Sequence, residues 1–176
     1  NYALVDIETG KAVGTKTRFK VRWDDEGAVI FEIKCDEPDM KNLFVTDDVW
    51  TGDSIAIQLE TQGHAYYQIE VNPDGKIFDA DRHGRLNQRW KSNATVETER
   101  GADFWSVVVR IVVDAEEGAA DPNHHVVGAK PGMDSPWYMN VGRTRVRPSG
   151  KTSWSFPHTG TRSYHVPERF AKMVIE

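Results

Sequence analysis

The stretch "FKVRWDDEGAVIFEIKC", residues 19–35, decides the fold class because its apolar residues recur at every second position. Alternation with a period of two is typical of a strand that buries one face. The turn Asp24-Asp25-Glu26-Gly27 joins two such runs, so the stretch predicts a β-hairpin. Cys35 ends the second run, and we interpret it as a small buried residue rather than a reactive thiol.

The same period continues along the chain. It recurs in residues 55–60, 67–71, 76–81, 94–99, 104–113, 137–146 and 171–176. Residues 104–113 are apolar on both faces, which predicts a central strand, and no segment of about a dozen residues has a helical stripe. Long loops are predicted between the strands, at 36–52, 82–92, 114–136 and 147–170. We therefore predict one all-β domain over residues 1–176, an antiparallel β-sandwich of immunoglobulin-like or jelly-roll type with long loops.

Charge and composition exclude several classes of protein. Asp and Glu total 27 against 22 Lys and Arg, for a net charge of −5, which argues against a nucleic-acid partner. No apolar run is long enough to cross a bilayer. A single cysteine excludes an internal disulfide and fits a cytosolic or an exported protein. Any targeting segment is expected to have been removed or to lie outside this sequence, since neither a leader pattern nor a starting methionine is present.

The sequence lacks the motifs of the common catalytic sites. There is no Gly-x-Ser-x-Gly elbow, no phosphate-binding glycine loop and no His-Glu-x-x-His helix, so we predict that the protein is not an enzyme. His124 and His125 are adjacent, point apart in an extended chain, and are interpreted as exposed loop residues. No cofactor is predicted to be required, and a structural calcium ion stays open because four aspartates could supply oxygen ligands. The four aspartates form two pairs in the sequence, Asp79 with Asp81 and Asp36 with Asp39.

The six tryptophans are the better lead to function. Trp23 and Trp105 lie in alternating strands and are predicted core residues, and Trp137 opens an apolar strand and is predicted to be buried. The other three lie in polar loop contexts: Trp50, Trp90 and Trp154. Because pyranose rings stack their C–H faces on aromatic rings and need polar partners for their hydroxyls, loop tryptophans among polar residues predict a sugar site.

Five stretches in order carry a family resemblance. They are "FKVRWDDEGAVIFEIKCDEPD" (19–39), "WTGDSIAIQLET" (50–61), "YYQIEVNPDGKIFDAD" (66–81), "WYMNVGRTR" (137–145) and "TSWSFPHTGTRSYHVPERFAKMVIE" (152–176). From about Arg18 onward the chain resembles the family 9 carbohydrate-binding modules, which are related to DOMON domains. The family's usual opening strand is replaced or missing, and residues 114–136 look like an insertion.

That resemblance implies non-catalytic glycan binding. It implies one module of a larger polysaccharide-acting protein, such as an accessory domain of a glycoside hydrolase, that is secreted, periplasmic or held at the cell surface. The expected partners are a carbohydrate ligand and other domains of the parent polypeptide, with no nucleic acid and no membrane insertion. The sugar itself is left open.

The resemblance also implies site residues. Two aromatic rings clamp a terminal sugar in sugar-binding members, and the matching residues here are Trp50 and Tyr164. His158 and Thr159 stand where the family places a polar contact, and Trp154 matches a packing residue of the family's Ser-Trp frame.

This sequence departs from the family at two strand positions. Sugar-binding members carry a Glu and an Arg where this chain has Ala56 and Glu70, which leaves two alternatives open, a different ligand or a loss of binding. A replacement polar face is predicted from Gln58, Gln68, Glu70 and Asn72, with ordinary solvated strand faces as the alternative interpretation.

Two other functions stay open from the sequence. One is a structural accessory domain without a sugar site. The other is a haem-binding relative of the same sandwich, for which Met133, Met139 and His124 are the candidate ligands.

Overall fold

The structure, a computed structural model, describes residues 1–62, 65–114 and 126–176 and folds them into two β-sheets. The strands are β1 (Tyr2–Ala3), β2 (Val5–Asp6), β3 (Thr17–Trp23), β4 (Ala28–Asp36), β5 (Ser54–Glu60), β6 (Tyr67–Val71), β7 (Ile77–Asp81), β8 (Thr95–Arg100), β9 (Phe104–Asp114), β10 (Val126–Val127), β11 (Trp137–Arg147), β12 (Gly150–Phe156) and β13 (Ala171–Met173). Three 3₁₀ helices are the helical elements of these ranges: Met40–Asn42, Val49–Thr51 and Pro167–Arg169. No helix in them has the length and apolarity to span a membrane. The all-β prediction is confirmed.

Each sheet mixes neighbouring and distant strands of the chain. The first sheet has the order β1-β3-β4-β9-β10, with β8 also paired to β9, and the second has the order β2-β12-β11-β5-β6-β7, with β13 paired to the start of β11. β9 lies between β4 and β8, which confirms its predicted central place. The described pairs are antiparallel except for the short parallel pair of β9 and β10.

The predicted hairpin of residues 19–35 forms with the expected phase. Phe19 lies opposite Ile33 across β3 and β4, and both side chains point into the core. Trp105 is fully buried, and Trp23 is half-buried with its ring centroid 5.9 Å from that of Trp137. Cys35 is buried, and burial raises the pKa of its thiol to about 11, as expected for an unreactive side chain.

Two expectations about loops were wrong. Residues 147–170 were predicted to be irregular, yet Gly150–Phe156 forms β12 and pairs with β11. The inward positions of β12 begin with Gly150 and Thr152, neither of which is a large apolar residue, so the period of two rests on Trp154 and Phe156. Trp90 is buried as well, because its ring stacks on Tyr67 at a centroid distance of 4.8 Å.

The inward side of β11 carries a buried arginine that connects the two sheets. Arg143 donates hydrogen bonds to Thr17 Oγ1 in β3 and to the buried Glu37 just after β4, both at 2.9 Å. Its guanidinium lies 4.9 Å from the ring of Trp154, which is itself buried. The predicted packing role of Trp154 is therefore confirmed.

Candidate functional site

The outward face of the second sheet is polar but hidden from solvent. We call it the polar face and define it by Ser54, Gln58, Gln68, Glu70, Asn140 and Thr144, each no more than 5 % exposed. The predicted alternation of β5 is confirmed, since its apolar residues point to the core and Gln58 points the other way. The alternative of solvated strand faces was wrong for Gln58, Gln68 and Glu70.

The covering segment is the chain that follows β12. Tyr164 lies on the polar face directly over Gly142, where even a single Cβ atom would collide with its ring. The Tyr164 hydroxyl donates to the backbone carbonyl of Arg143 at 2.7 Å and lies 3.2 Å from Thr144 Oγ1. Burial raises the pKa of Tyr164 to about 12, so the phenol stays neutral. The absence of a Cβ atom at Gly142 is therefore what lets the Tyr164 ring approach the sheet this closely.

A row of directly paired residues connects Tyr164 to Trp50. The row crosses β11, β5, β6 and β7 as Gly142, Ala56, Glu70 and Phe78. Tyr164 covers one end, and at the other end the Trp50 ring meets the Phe78 ring edge to face, with centroids 4.7 Å apart. The row spans three strand spacings, about 14 Å. Because directly paired residues share a face, Ala56 and Glu70 lie between the two aromatic positions.

A cavity of about 390 Å³ opens at this row. Its lining includes Trp50, Gln68, Glu70, Phe78, Arg82, Lys151, Arg162, Tyr164 and His165. The volume lies within the usual range of small-ligand pockets. Trp50 is 46 % exposed on the 3₁₀ helix Val49–Thr51, so a large apolar ring faces this cavity instead of the core.

Glu70 is the carboxylate of the cavity floor. Ser54 Oγ donates to it at 2.7 Å and Gln68 Nε2 at 3.3 Å, while Arg82 Nε donates to Gln68 Oε1 at 2.7 Å. Burial raises the pKa of Glu70, against the opposing hydrogen bonds and the nearby charges of Lys151 and Arg82. These bonds fix donors and acceptors at the floor before any ligand arrives.

His165 also lines this cavity. Its Nδ1 lies 3.1 Å from Gln58 Nε2 and 3.0 Å from the Tyr66 hydroxyl. Burial, with a smaller contribution from the charge of Arg82, lowers the pKa of His165 to about 4. The imidazole is therefore neutral near pH 7 and can accept a hydrogen bond.

The predicted site residues separate into two groups. Trp50, Tyr164, Gln68 and Glu70 line the cavity together. His158 and Thr159 do not line it. The His158 ring packs against Gly10, and Thr159 is buried with its Oγ1 donating to the Ser163 carbonyl at 2.8 Å.

Sequence reasoning missed several lining residues, among them Phe78, Arg82, Lys151, Arg162 and His165. Phe78 had a usable signal, because the alternation of β7 places it outward beside Glu70. Arg82 and His165 lie in irregular segments where no period indicates direction.

The described ranges contain no group of three or more His, Cys, Asp or Glu that could hold a metal ion. Of the calcium candidates, Asp79 accepts hydrogen bonds from the Ser92 backbone at 2.7 Å and from Lys91 at 2.9 Å. Of the haem candidates, Met133 is exposed and Met139 lies in the core. His124 and His125 lie outside the described residues.

Solved structures share this fold, although no protein-family model and no curated protein matches the chain. One is a Bacteroides uniformis protein to which carbohydrate binding has been ascribed. It has a TM-score of 0.74 and 15 % identity, over 99 % of this chain and 85 % of that one.

Two others are structures of a family 9 carbohydrate-binding module from Caldicellulosiruptor kristjanssonii, each 14 % identical over 98 % of this chain. The complex with glucose has a TM-score of 0.66 and is covered over 83 % of its length. The complex with cellotriose has a TM-score of 0.65 and is covered over 80 %. The chain therefore has the β-sandwich fold of the family 9 carbohydrate-binding modules.

Proposed function

We propose that this protein binds a glycan, without altering it chemically, by holding one sugar ring in the cavity between Trp50 and Tyr164. The observation that carries the proposal is the exposed Trp50 ring, which shares one cavity with a second aromatic residue and a hydrogen-bonded polar floor. A ring exposed at this position gains nothing for the core. It is suited to a ligand that presents C–H groups.

Two kinds of contact, aromatic stacking and hydrogen bonding, contribute to recognition of the sugar. Stacking of a pyranose on an aromatic face contributes on the order of 1 kcal/mol beyond area burial, by analogy with aromatic pairs. Glu70, Gln68 and Arg82 offer acceptors and donors for sugar hydroxyls between the aromatic positions. Each hydrogen bond to a charged group is worth about 1.5–3 kcal/mol.

The departures from the family pattern are compatible with this site. The carboxylate that sugar-binding members carry at the position of Ala56 has a counterpart in Glu70, which is directly paired with Ala56 on the next strand. A guanidinium is supplied by Arg82, through its contact with Gln68. This chain therefore has a carboxylate and a guanidinium at the site, as sugar-binding members do, but at different positions.

The lining also supports binding without catalysis. Among the described residues that line the cavity, Glu70 is the only carboxylic acid. Glycoside hydrolysis by either stereochemical route generally requires two carboxyl groups that flank the scissile bond. The bound glycan is therefore released unchanged.

The proposal extends to the setting of the domain. It acts as one module of a larger exported polysaccharide-acting protein and raises the effective concentration of an attached enzyme at its substrate. It binds sugar without a required cofactor, and a structural calcium ion would serve stability only. Two of the similar structures hold a sugar, which supports sugar binding by a domain of this fold.

A glycan array followed by calorimetric titration tests the proposal. We expect a hit whose affinity falls about tenfold or more in Trp50→Ala, since stacking and buried area are lost together. Phe44→Ala is the matched control, because Phe44 is 47 % exposed and does not line the cavity. A chain that binds no glycan, or equal losses in both variants, would refute the proposal, and the structural accessory domain would replace it.

A further inference from the structure

The charges that line the cavity are opposite in sign to the chain as a whole. The chain has a net charge of −5, yet the lining has three cations, Arg82, Lys151 and Arg162, against the single carboxylate of Glu70. His165 adds no charge near neutral pH. A cationic cavity in an acidic protein indicates the sign of the ligand, because a local field steers and retains opposite charge.

These cations are poorly neutralised by the protein. In the described ranges, the Lys151 side chain makes no ion pair or hydrogen bond, and the Arg82 side chain bonds only to Gln68, a neutral amide. Arg162 pairs with Glu8 at 3.3 Å, but its side chain is 89 % exposed and such pairs are weak.

The outward face of the first sheet shows the contrary pattern. Lys20 and Arg22 both pair with Glu32, at 2.7 and 3.0 Å. Lys20 and Arg22 share a carboxylate of the protein itself, whereas Lys151 and Arg82 in the cavity have no carboxylate within ion-pair distance among the described residues.

The cations lie on two sides of the floor. Lys151 extends from β12, which pairs with β11, and Arg82 follows β7 at the far side of the same sheet. Lys151 and Arg162 also border an adjoining cavity of about 570 Å³. A sugar seated over Glu70 therefore has a guanidinium on one side and an ammonium with a second guanidinium on the other.

We propose that the bound sugar is acidic, a uronic acid whose ring carboxylate is held by these cations. The inference rests on the proposed function and names its ligand class. A hexose carries a neutral hydroxymethyl group on C5, whereas a uronic acid carries a carboxylate there. Charge-assisted bonds to lysine or arginine are roughly twice as strong as neutral ones.

Glu70 does not oppose this ligand strongly. Burial raises the pKa of Glu70, so a second carboxylate nearby favours its protonated form. Burial and the second carboxylate both lower the repulsion between Glu70 and an acidic ligand.

Calorimetric titration with matched neutral and acidic sugars tests the inference. The probes are galacturonic acid trimer against galactose trimer, and a glucuronic-acid-terminated oligosaccharide against its glucose-terminated equivalent. We expect the acidic member of at least one pair to bind about tenfold more tightly. That preference should shrink as salt rises from about 0.05 to about 0.5 M.

Charge variants locate the effect. Lys151→Gln and Arg82→Gln should each reduce the preference for the acidic sugar severalfold, while Lys41→Gln, an exposed lysine outside the cavity, should leave it unchanged. Lys151 lies on β12 and Arg82 follows β7, so two variants in different parts of the sheet guard against one of them perturbing the fold. Equal reductions in all three variants would overturn the inference.

Two other outcomes are distinguishable. Neutral sugars binding as tightly as acidic ones would overturn the acidic ligand and leave the proposed function standing. No binding to any glycan of either series or of an array would overturn both.

Discussion

The outward faces of the two sheets are built from similar residue types but lie in different surroundings. On the first sheet, Lys20 and Arg22 are exposed and pair with Glu32. On the second, Gln68 and Glu70 are each 5 % exposed beneath the segment that follows β12. Exposed charged residues such as those on the first sheet are typical of a surface that keeps the protein soluble.

The two faces differ in how well they are suited to recognise a ligand. Burying polar groups costs free energy unless they are hydrogen-bonded, so a buried polar face needs internal partners. Glu70 has them in Ser54 and Gln68, and the floor that results is rigid. The covering segment contributes Tyr164 and leaves a cavity beside it, whereas the first sheet has no comparable cover in the described residues. Substitutions on each face test this difference.

The largest loss of stability is expected on the inward side of the second sheet. It serves as the reference for substitutions on the two outward faces. Trp154→Ala should lower the free energy of unfolding by about 3–5 kcal/mol, because a buried ring that packs against Arg143 is lost. Chemical denaturation measures this change. Trp50→Ala, assayed alongside, should lose less than about 1 kcal/mol, and equal losses would mean that both rings serve the core.

A smaller effect is expected where the covering segment touches the polar face. Gly142→Ala places a Cβ atom into the Tyr164 ring, so we expect a loss of about 1–3 kcal/mol from overpacking, together with weaker sugar binding. Thermal unfolding and glycan titration measure the two losses. An unchanged stability would show that Tyr164 does not lie over this glycine.

The charge state of Glu70 should appear as a pH dependence of modest size. Burial raises the folded-state pKa of Glu70, so its contribution to stability is present below about pH 4.5 and is lost as pH rises toward the folded pKa. The melting temperature of Glu70→Gln relative to the unaltered protein should therefore increase above pH 4.5. A difference that stays constant from pH 4 to pH 8 would contradict the raised pKa.

The smallest effect is expected on the outward face of the first sheet. Lys20→Ala removes one exposed ion pair to Glu32 and should change stability by no more than about 0.5 kcal/mol, with no change in glycan affinity. Denaturation and titration of the same sample check both. A large loss of binding would mean that the ligand binds on the first sheet, contrary to the proposed site.

The sequence predicted the strand phase well because the period of two needs only local information. It placed Trp105 and Cys35 in the core and Gln58 on the opposite face from Ile57, as the structure has them. It could not show that Gln58 is buried, since its cover comes from residues more than a hundred positions later, including His165.

The candidate site was predictable only in part for the same reason. Trp50 and Tyr164 share a cavity, as the family resemblance implied, and Gln68 and Glu70 lie with them. His158 and Thr159 precede Tyr164 closely in the chain but serve the loop instead. Neither their residue types nor their spacing shows which way a loop side chain points.

A structure of the protein with a bound oligosaccharide would show whether the sugar lies between Trp50 and Tyr164. We predict that one sugar ring lies in the cavity, against the Trp50 face, with hydroxyl contacts to Glu70 or Gln68 and with Tyr164 on the other side of the ring. A sugar bound on the outward face of the first sheet, or a cavity that stays empty at saturating glycan, would contradict the account.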